Sequence, residues 1–328
     1  MARGRTVMLS FLVPQEQRRS LDELTDKLDL SVGQVDSKRS AFWIMLVMSA
    51  VIAISGVIGN STATVIGAMI VAPLSIPILG VALGVVTGRA PLLGRSLLLV
   101  VSGIVVVVSL GFLFAQFLPN PVDVLSNPQV VGRTSPTLMD LTAAIATGLV
   151  AAIAIARRDV GDVLPGVAIA ISLVPPLGVV GVCLGSHAPA LAGGAFVLFA
   201  SNVVAMIITS TMVLLVAGYA DAADPTTVRR GRAYLALGIA LVLVSIPMVL
   251  NSLSTLWAGQ IADAAVLWLG DAPDAQVTDV TLQGGTATVS VLGPQQLPPR
   301  AELQQAVNNL VPWNPKVVII HTVGGRVQ

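Results

Sequence analysis

Seven apolar stretches, at 41–59, 65–87, 96–118, 138–156, 163–185, 191–218 and 233–250, take up most of the chain between positions 41 and 250. Each is close to or above the roughly 20 residues that a helix needs to cross a hydrocarbon core of about 30 Å, and the last is the shortest. This restricts the fold severely, because in lipid every backbone amide and carbonyl must be satisfied by protein. Composition agrees. Hydrophobic residues make up 55% of the 328 positions and charged residues 11%, and the mean hydropathy of +0.87 is well above that of a soluble domain. The first stretch follows a charged tail, too late for a cleaved signal peptide, and is expected to remain as an anchor.

The net charge of +1 says less than its distribution. Arg3, Arg5, Arg18, Arg19, Lys27, Lys38 and Arg39 precede the first stretch; Arg89 and Arg95, then Arg157 and Arg158, then Arg229, Arg230 and Arg232 occupy alternate later junctions. The intervening turns are poor in positive charge: 60–64 has none, 119–137 only Arg133, and 186–190 only His187. Lys and Arg in short loops mark the cytoplasmic side. Seven crossings are therefore expected, with the amino terminus in the cytoplasm and the carboxyl terminus outside it.

Within the second stretch, GAMIVAPLSIPILG (67–80) carries Pro73 and Pro77 four residues apart. The fifth repeats the arrangement: GVAIAISLVPP (166–176) aligns with GAMIVAPLSIP (67–77), matching first glycine to first glycine and Pro77 to Pro176, beside Pro175. Glycines follow in both, at Gly80, Gly84 and Gly88 and at Gly178, Gly181 and Gly185. Each segment is the middle of three, so the chain is expected to hold a three-plus-three repeat. Because three is odd, the second set enters from the opposite side, giving inverted topology with a seventh helix appended. Proline removes a helix hydrogen bond. Backbone opened at Pro73, Pro77, Pro175 or Pro176 must then be buried in protein or line a wet cavity, and two broken helices are expected to meet near the midplane. The alternative is that these residues act only as kinks and packing notches, and small residues four apart would equally suit self-association into a homo-oligomer.

Polar residues in the apolar stretches are few. Asn60 and Ser61 precede the first broken segment, Ser201 and Asn202 interrupt the sixth stretch, and Asp140 begins the fourth in SPTLMD. An intramembrane ionisable group is a functional candidate. Ser135 and Pro136 also read as an N-cap and first helical position, which would make Asp140 a partner of the helix dipole. Asn202 is open to two readings, a helix-to-helix hydrogen bond and a ligand contact. The candidate binding residues are thus Asn60, Ser61, Gly67, Pro73, Pro77, Asp140, Pro175, Pro176 and Asn202.

Neither a phosphate loop nor metal-ligand spacing is visible around His187 and His321, and no basic patch with interleaved aromatics suggests nucleic acid. The single cysteine, Cys183, lies in an apolar run and reads as packing. No enzyme activity, catalytic residue, cofactor or metal site is expected. At the amino terminus, 6–13 alternates like a strand and 16–28 reads as an amphipathic helix with Leu21, Leu24 and Leu28 on one face. After Gly270, VTDVTL and TATVSV read as a hairpin, 300–310 as a helix and 316–323 as a strand. Joined, the two ends would make a ferredoxin-like sandwich; the charge rule keeps them apart.

The runs NSTATVIGAMIVAPLSIPILGVALGVVTG (60–88) and LPGVAIAISLVPPLGVVG (164–181) resemble an uncharacterised prokaryotic hydrophobic membrane-protein family, domain of unknown function 389. The resemblance covers about 41–250. It implies a prokaryotic plasma membrane and supplies no activity.

The expected fold is therefore an all-α polytopic membrane protein with a small carboxyl-terminal α+β domain. Its parts are a tail (1–40), repeat A (41–118), repeat B (138–218), an extra helix (233–250), a linker helix (251–269) and a soluble domain (270–328). The expected function is passage of a small ion or polar solute through a bilayer by a transporter or channel. The competing class is a sensor or scaffold whose carboxyl domain binds a partner.

Overall fold

The structure, a computed structural model, describes residues 13–117, 125–160, 173–220, 230–270, 275–283, 286–293 and 297–323. They fall into two units, Met1–Met248 and Val249–Gln328.

In the first unit the tail folds around a capping box. Ser20 Oγ accepts from the Glu23 amide, and Glu23 returns a carboxylate to the Ser20 amide, starting α1 (Leu21–Leu28). Leu24 and Leu28 are buried, as the amphipathic pattern predicts, while the strand expected over 6–13 lies outside the described residues except for Val13. The apolar stretches then form α2 (Val35–Ile58), α3 (Thr62–Val71), α4 (Ser75–Thr87), α5 (Ala90–Gln116), α7 (Leu138–Ala156), α8 (Val174–Gly185) and α9 (Pro189–Val216), with a short α6 (Pro128–Thr134) before α7. Finally, α10 (Arg230–Leu269), with Pro247 inside it, begins in the first unit and ends in the second.

Among the described residues, five helices are long and apolar enough to cross a membrane, or six if α3 and α4 form one broken span. The expected fifth stretch is described only in its second half, α8, because 161–172 lie outside the described residues. The extra helix and linker expected at 233–250 and 251–269 form one helix of 40 residues. Asn251 and Ser252 lower the local hydropathy without carrying a helix-stopping signal, which explains the difference.

Two short helices form the centre. From Pro77 to Thr87 every residue of α4 is buried, and α8 is buried throughout except at Leu184. A helix apolar on all sides is stable only when covered on all sides. Both pack on the same two long helices, α5 and α9, and α8 also packs on α2 and α3. Close crossing depends on glycine. A Cβ on Gly181 would lie 2.8 Å from Gly111 Cα, and one on Gly84 would lie 2.9 Å from the Leu93 amide nitrogen. Gly80, Gly84 and Gly181, suggested by the sequence as faces for self-association, are therefore filled by the chain's own helices.

The junctions sort by charge. Arg158 grips Glu23 through Nη2 at 2.9 and 3.0 Å, Arg19 donates its amide to the Ala156 carbonyl, Arg95 lies 3.7 Å from Asp29, and Arg89 donates to Thr25. The tail thus joins the two Arg-bearing junctions at one end. At the other, Asn127 donates to the Val57 carbonyl, Gln129 to Thr62, and Gln116 to the Gly185 carbonyl, which joins the positive-poor turns.

The second unit holds the three strands and helix read from the sequence. β1 (Gln276–Gln283) pairs antiparallel with β2 (Thr286–Gly293), and β2 pairs parallel with β3 (Lys316–Val323) through the crossover helix α11 (Arg300–Leu310). Alternate β2 residues Ala287, Val289 and Val291 share a core with Leu303, Val307, Val317 and the last turns of α10. A ferredoxin-like βαββαβ is a split βαβ, with a further strand between β2 and β3. Here those strands pair directly, in the order β1-β2-β3.

Candidate functional site

The helix formed by the second stretch breaks at Ala72, Pro73 and Leu74, with a 48° bend between α3 and α4. Pro73 cannot donate to the Met69 carbonyl, which instead accepts from Ala72 at 3.4 Å, while Ile76 bonds to the Pro73 carbonyl at 3.1 Å. The Ala68 carbonyl, left without its usual amide, accepts from Ser49 Oγ of α2 at 2.8 Å, both residues being fully buried. No described backbone amide donates to the carbonyls of Ile70, Val71 and Ala72.

The four prolines differ in role. Only Pro73 lies in the break; Pro77 is the third residue of α4, and Pro175 and Pro176 are the second and third of α8. In a first turn the missing amide has no helical partner to lose, so these three start helices rather than open them. The expectation that all four free backbone is corrected accordingly.

A cavity of about 310 Å³ lies beside the break, lined by Met69, Gly132, Arg133, Asp140, Ala143, Pro176, Leu198 and Asn202. It extends from α6 and the start of α7 to Asn202, in the middle of α9. Asp140, Pro176 and Asn202, three of the candidates read from the sequence, thus come together. The others sit elsewhere. Asn60 holds the turn between α2 and α3 at φ +50°, and Ser61 caps α3 by accepting from the Thr64 amide at 3.3 Å. Gly67 lies within α3, where a Cβ would meet nothing within 4 Å, so it is no packing notch.

The charged groups at the cavity are held by their own helices. Thr137, not Ser135, is the N-cap of α7, and Asp140 Oδ2 accepts from the Thr137 amide at 2.7 Å and its hydroxyl at 2.9 Å. This is the capping function, shifted by two residues from the sequence reading. Arg133 was legible only as the one cation in a positive-poor turn. Its Nη1 donates to Gln129, to the carbonyl at 2.6 Å and to Oε1 at 3.0 Å. Burial lowers its pKa from the usual arginine value, yet a guanidinium keeps its charge at any physiological pH. Among the described residues neither Arg133 nor Asp140 has an oppositely charged partner within 4.0 Å.

The cavity lining spans positions 69 to 202, and the comparison with known families falls on the same stretch. Residues 69–208 match the family described as Domain of unknown function (DUF389). Every lining residue lies inside this matched segment, whereas Asn60, Ser61 and Gly67 lie before it. One relative, Uncharacterized protein MJ0678 of Methanocaldococcus jannaschii, is 26% identical over 170 residues, 52% of each chain. The chain spans about half the length of that relative. No solved structure matches.

Proposed function

We propose that this chain forms a membrane-embedded pathway for a small ion or polar solute, as a transporter or channel, with the DUF389 cavity as its site. The carrying observation is the lining: Met69 comes from the broken segment of one half, and Pro176 and Asn202 come from the matching segment and third helix of the other. Placing a site where broken helices of two repeats converge is the usual construction of secondary transporters.

An inverted three-plus-three repeat within seven spans is part of this reading. Its support is spacing and packing. α4 starts at Ser75 and α8 at Val174, α5 at Ala90 and α9 at Pro189; both pairs are 99 positions apart. The second half of each broken segment packs on the third helix of its own half and on that of the other. A cytoplasmic amino terminus, an extracytoplasmic carboxyl terminus and a prokaryotic plasma membrane belong to the same reading, favoured by the gathering of Arg-bearing junctions at one end.

The test uses full-length protein in proteoliposomes, with a solute found by thermal-stability screening. Pro73→Ala lets α3 continue toward α4 and should weaken solute affinity at least tenfold; Pro77→Ala and Pro175→Ala, in first turns, should not. A Gly132→Cys variant modified with a bulky thiol reagent should block flux while folding normally, because nothing lies within 4 Å of a Cβ there. Unchanged affinity and flux in both perturbed proteins would remove the reading. The second unit has a core of its own, which favours a sensor as runner-up; a solute that binds without any flux would select it.

A further inference from the structure

Arg133 and Asp140 put opposite charges on one cavity from different helices, α6 and α7, without bonding to each other. Were their role mutual, an ion pair would be the expected geometry, because a half-buried guanidinium gains most from a carboxylate. Instead each is steadied by neutral groups on its own helix. Arg133 uses Nη1 for Gln129, leaving Nε and Nη2 without a described partner; Asp140 uses Oδ2 for Thr137, leaving Oδ1 likewise. A planar donor edge and a carboxylate oxygen therefore remain for a guest.

The charges also constrain the guest. A lone anion drawn to Arg133 meets repulsion from Asp140, and a lone cation meets the converse, so neither gains the full attraction. A molecule carrying both charges gains from each. Size agrees: about 310 Å³ is at the small end of the range of ligand sites, roughly 300–1,000 Å³. The apolar walls, Met69, Ala143 and Leu198, suit a short hydrocarbon link between two polar ends.

Building on the solute-pathway reading, we propose that the cavity binds a small zwitterion of amino-acid type, its carboxylate on the free edge of Arg133 and its ammonium on Asp140. Arg133 is the better carboxylate ligand than a lysine would be, because its fork matches both oxygens. Asn202 also lines the cavity, from the middle of α9.

The experiment measures binding to the purified full-length chain by calorimetry with two matched sets of probes. One is L-alanine, propionate and ethylammonium; the other is γ-aminobutyrate, butyrate and n-butylammonium. The expected result is that a zwitterion binds at least tenfold more tightly than both of its singly charged analogues. Arg133→Gln should bring its affinity down to that of the cation, and Asp140→Asn to that of the anion, with Arg133→Lys recovering part of the loss. Thermal stability of each variant guards against misfolding. A singly charged analogue binding as tightly as its zwitterion overturns the proposal, and so does the absence of zwitterion binding up to millimolar concentration. The pathway reading is tested separately: flux of a singly charged solute would preserve it while this proposal failed. Zwitterion binding without flux would do the reverse.

Discussion

Replacing Gly181 by Ala adds one methyl group at the crossing of α5 and α8. There it would sit 2.8 Å from both Gly111 Cα and the Phe112 amide nitrogen, and closer still to the Val108 carbonyl oxygen. All three are backbone atoms on the facing helix, so no side chain can rotate aside. Restoring ordinary contact of about 3.4 Å requires the helices to separate by at least about 0.6 Å, against the close packing of a helix buried all round. Overpacking of this kind costs about 1–3 kcal/mol, and the upper end applies where only backbone can yield. Better helix propensity of Ala returns up to about 1 kcal/mol, leaving a net loss of about 2. Gly193, on the exposed face of α9 with nothing within 4 Å of a Cβ, is the control: Gly193→Ala should be neutral or stabilising by up to about 1 kcal/mol. Unfolding of detergent-solubilised protein in increasing SDS, followed by tryptophan fluorescence, reads both variants. A Gly181→Ala protein within about 0.5 kcal/mol of the parent, or an equal loss at Gly193, would refute the reasoning from close crossing.

Three further predictions follow the same logic. Ser49→Ala leaves the buried Ala68 carbonyl without its donor and should cost about 1–3 kcal/mol in the same unfolding assay, whereas Ser40→Ala, on the exposed face of α2, should cost little. The hydrogen bond from the Ser20 backbone, followed by that from Arg158, lowers the Glu23 pKa below its ordinary 4.5. Its contribution to docking the tail is therefore complete above that value and is lost as pH falls through the folded-state pKa. A spin label at Asp22→Cys should stay ordered at neutral pH and become mobile only on acidification below the ordinary glutamate value of 4.5, and Glu23→Gln should remove that transition. Cysteines placed singly at Ser126 and Gln295 should react with an impermeant thiol reagent in intact cells, and one at Ala90 should not; labelling of Gln295→Cys only after lysis would defeat the seven-crossing orientation.

Much of the helical plan is local chemistry and was legible in the chain. Apolar length separates the helices, the alternation in VTDVTL and TATVSV sets the hairpin strands, and Leu24 and Leu28 lie on one buried face because their spacing of four is helical. The proline-rich segments were recognisable as a pair, and the structure begins their second halves the same number of residues apart as the sequence alignment does. What each proline does was not legible. A proline opens backbone inside a helix and starts one in a first turn; where the helix begins is settled by packing, so Pro73 and Pro77 differ although their neighbourhoods read alike. Arg133 looked like a loop charge because hydropathy reports nothing about which loops fold against which helices. Its place beside Asp140 and Asn202 arises only when α6, α7 and α9 pack together. Gly181 and Gly193 are alike in sequence terms, yet one bears a backbone crossing and the other faces open space. Sequence alone determined the apolar lengths, the sorted charges and the paired proline segments, since these depend on residues near one another in the chain. Tertiary structure decided the break, the crossings and the cavity, because each depends on the distance between atoms far apart in sequence.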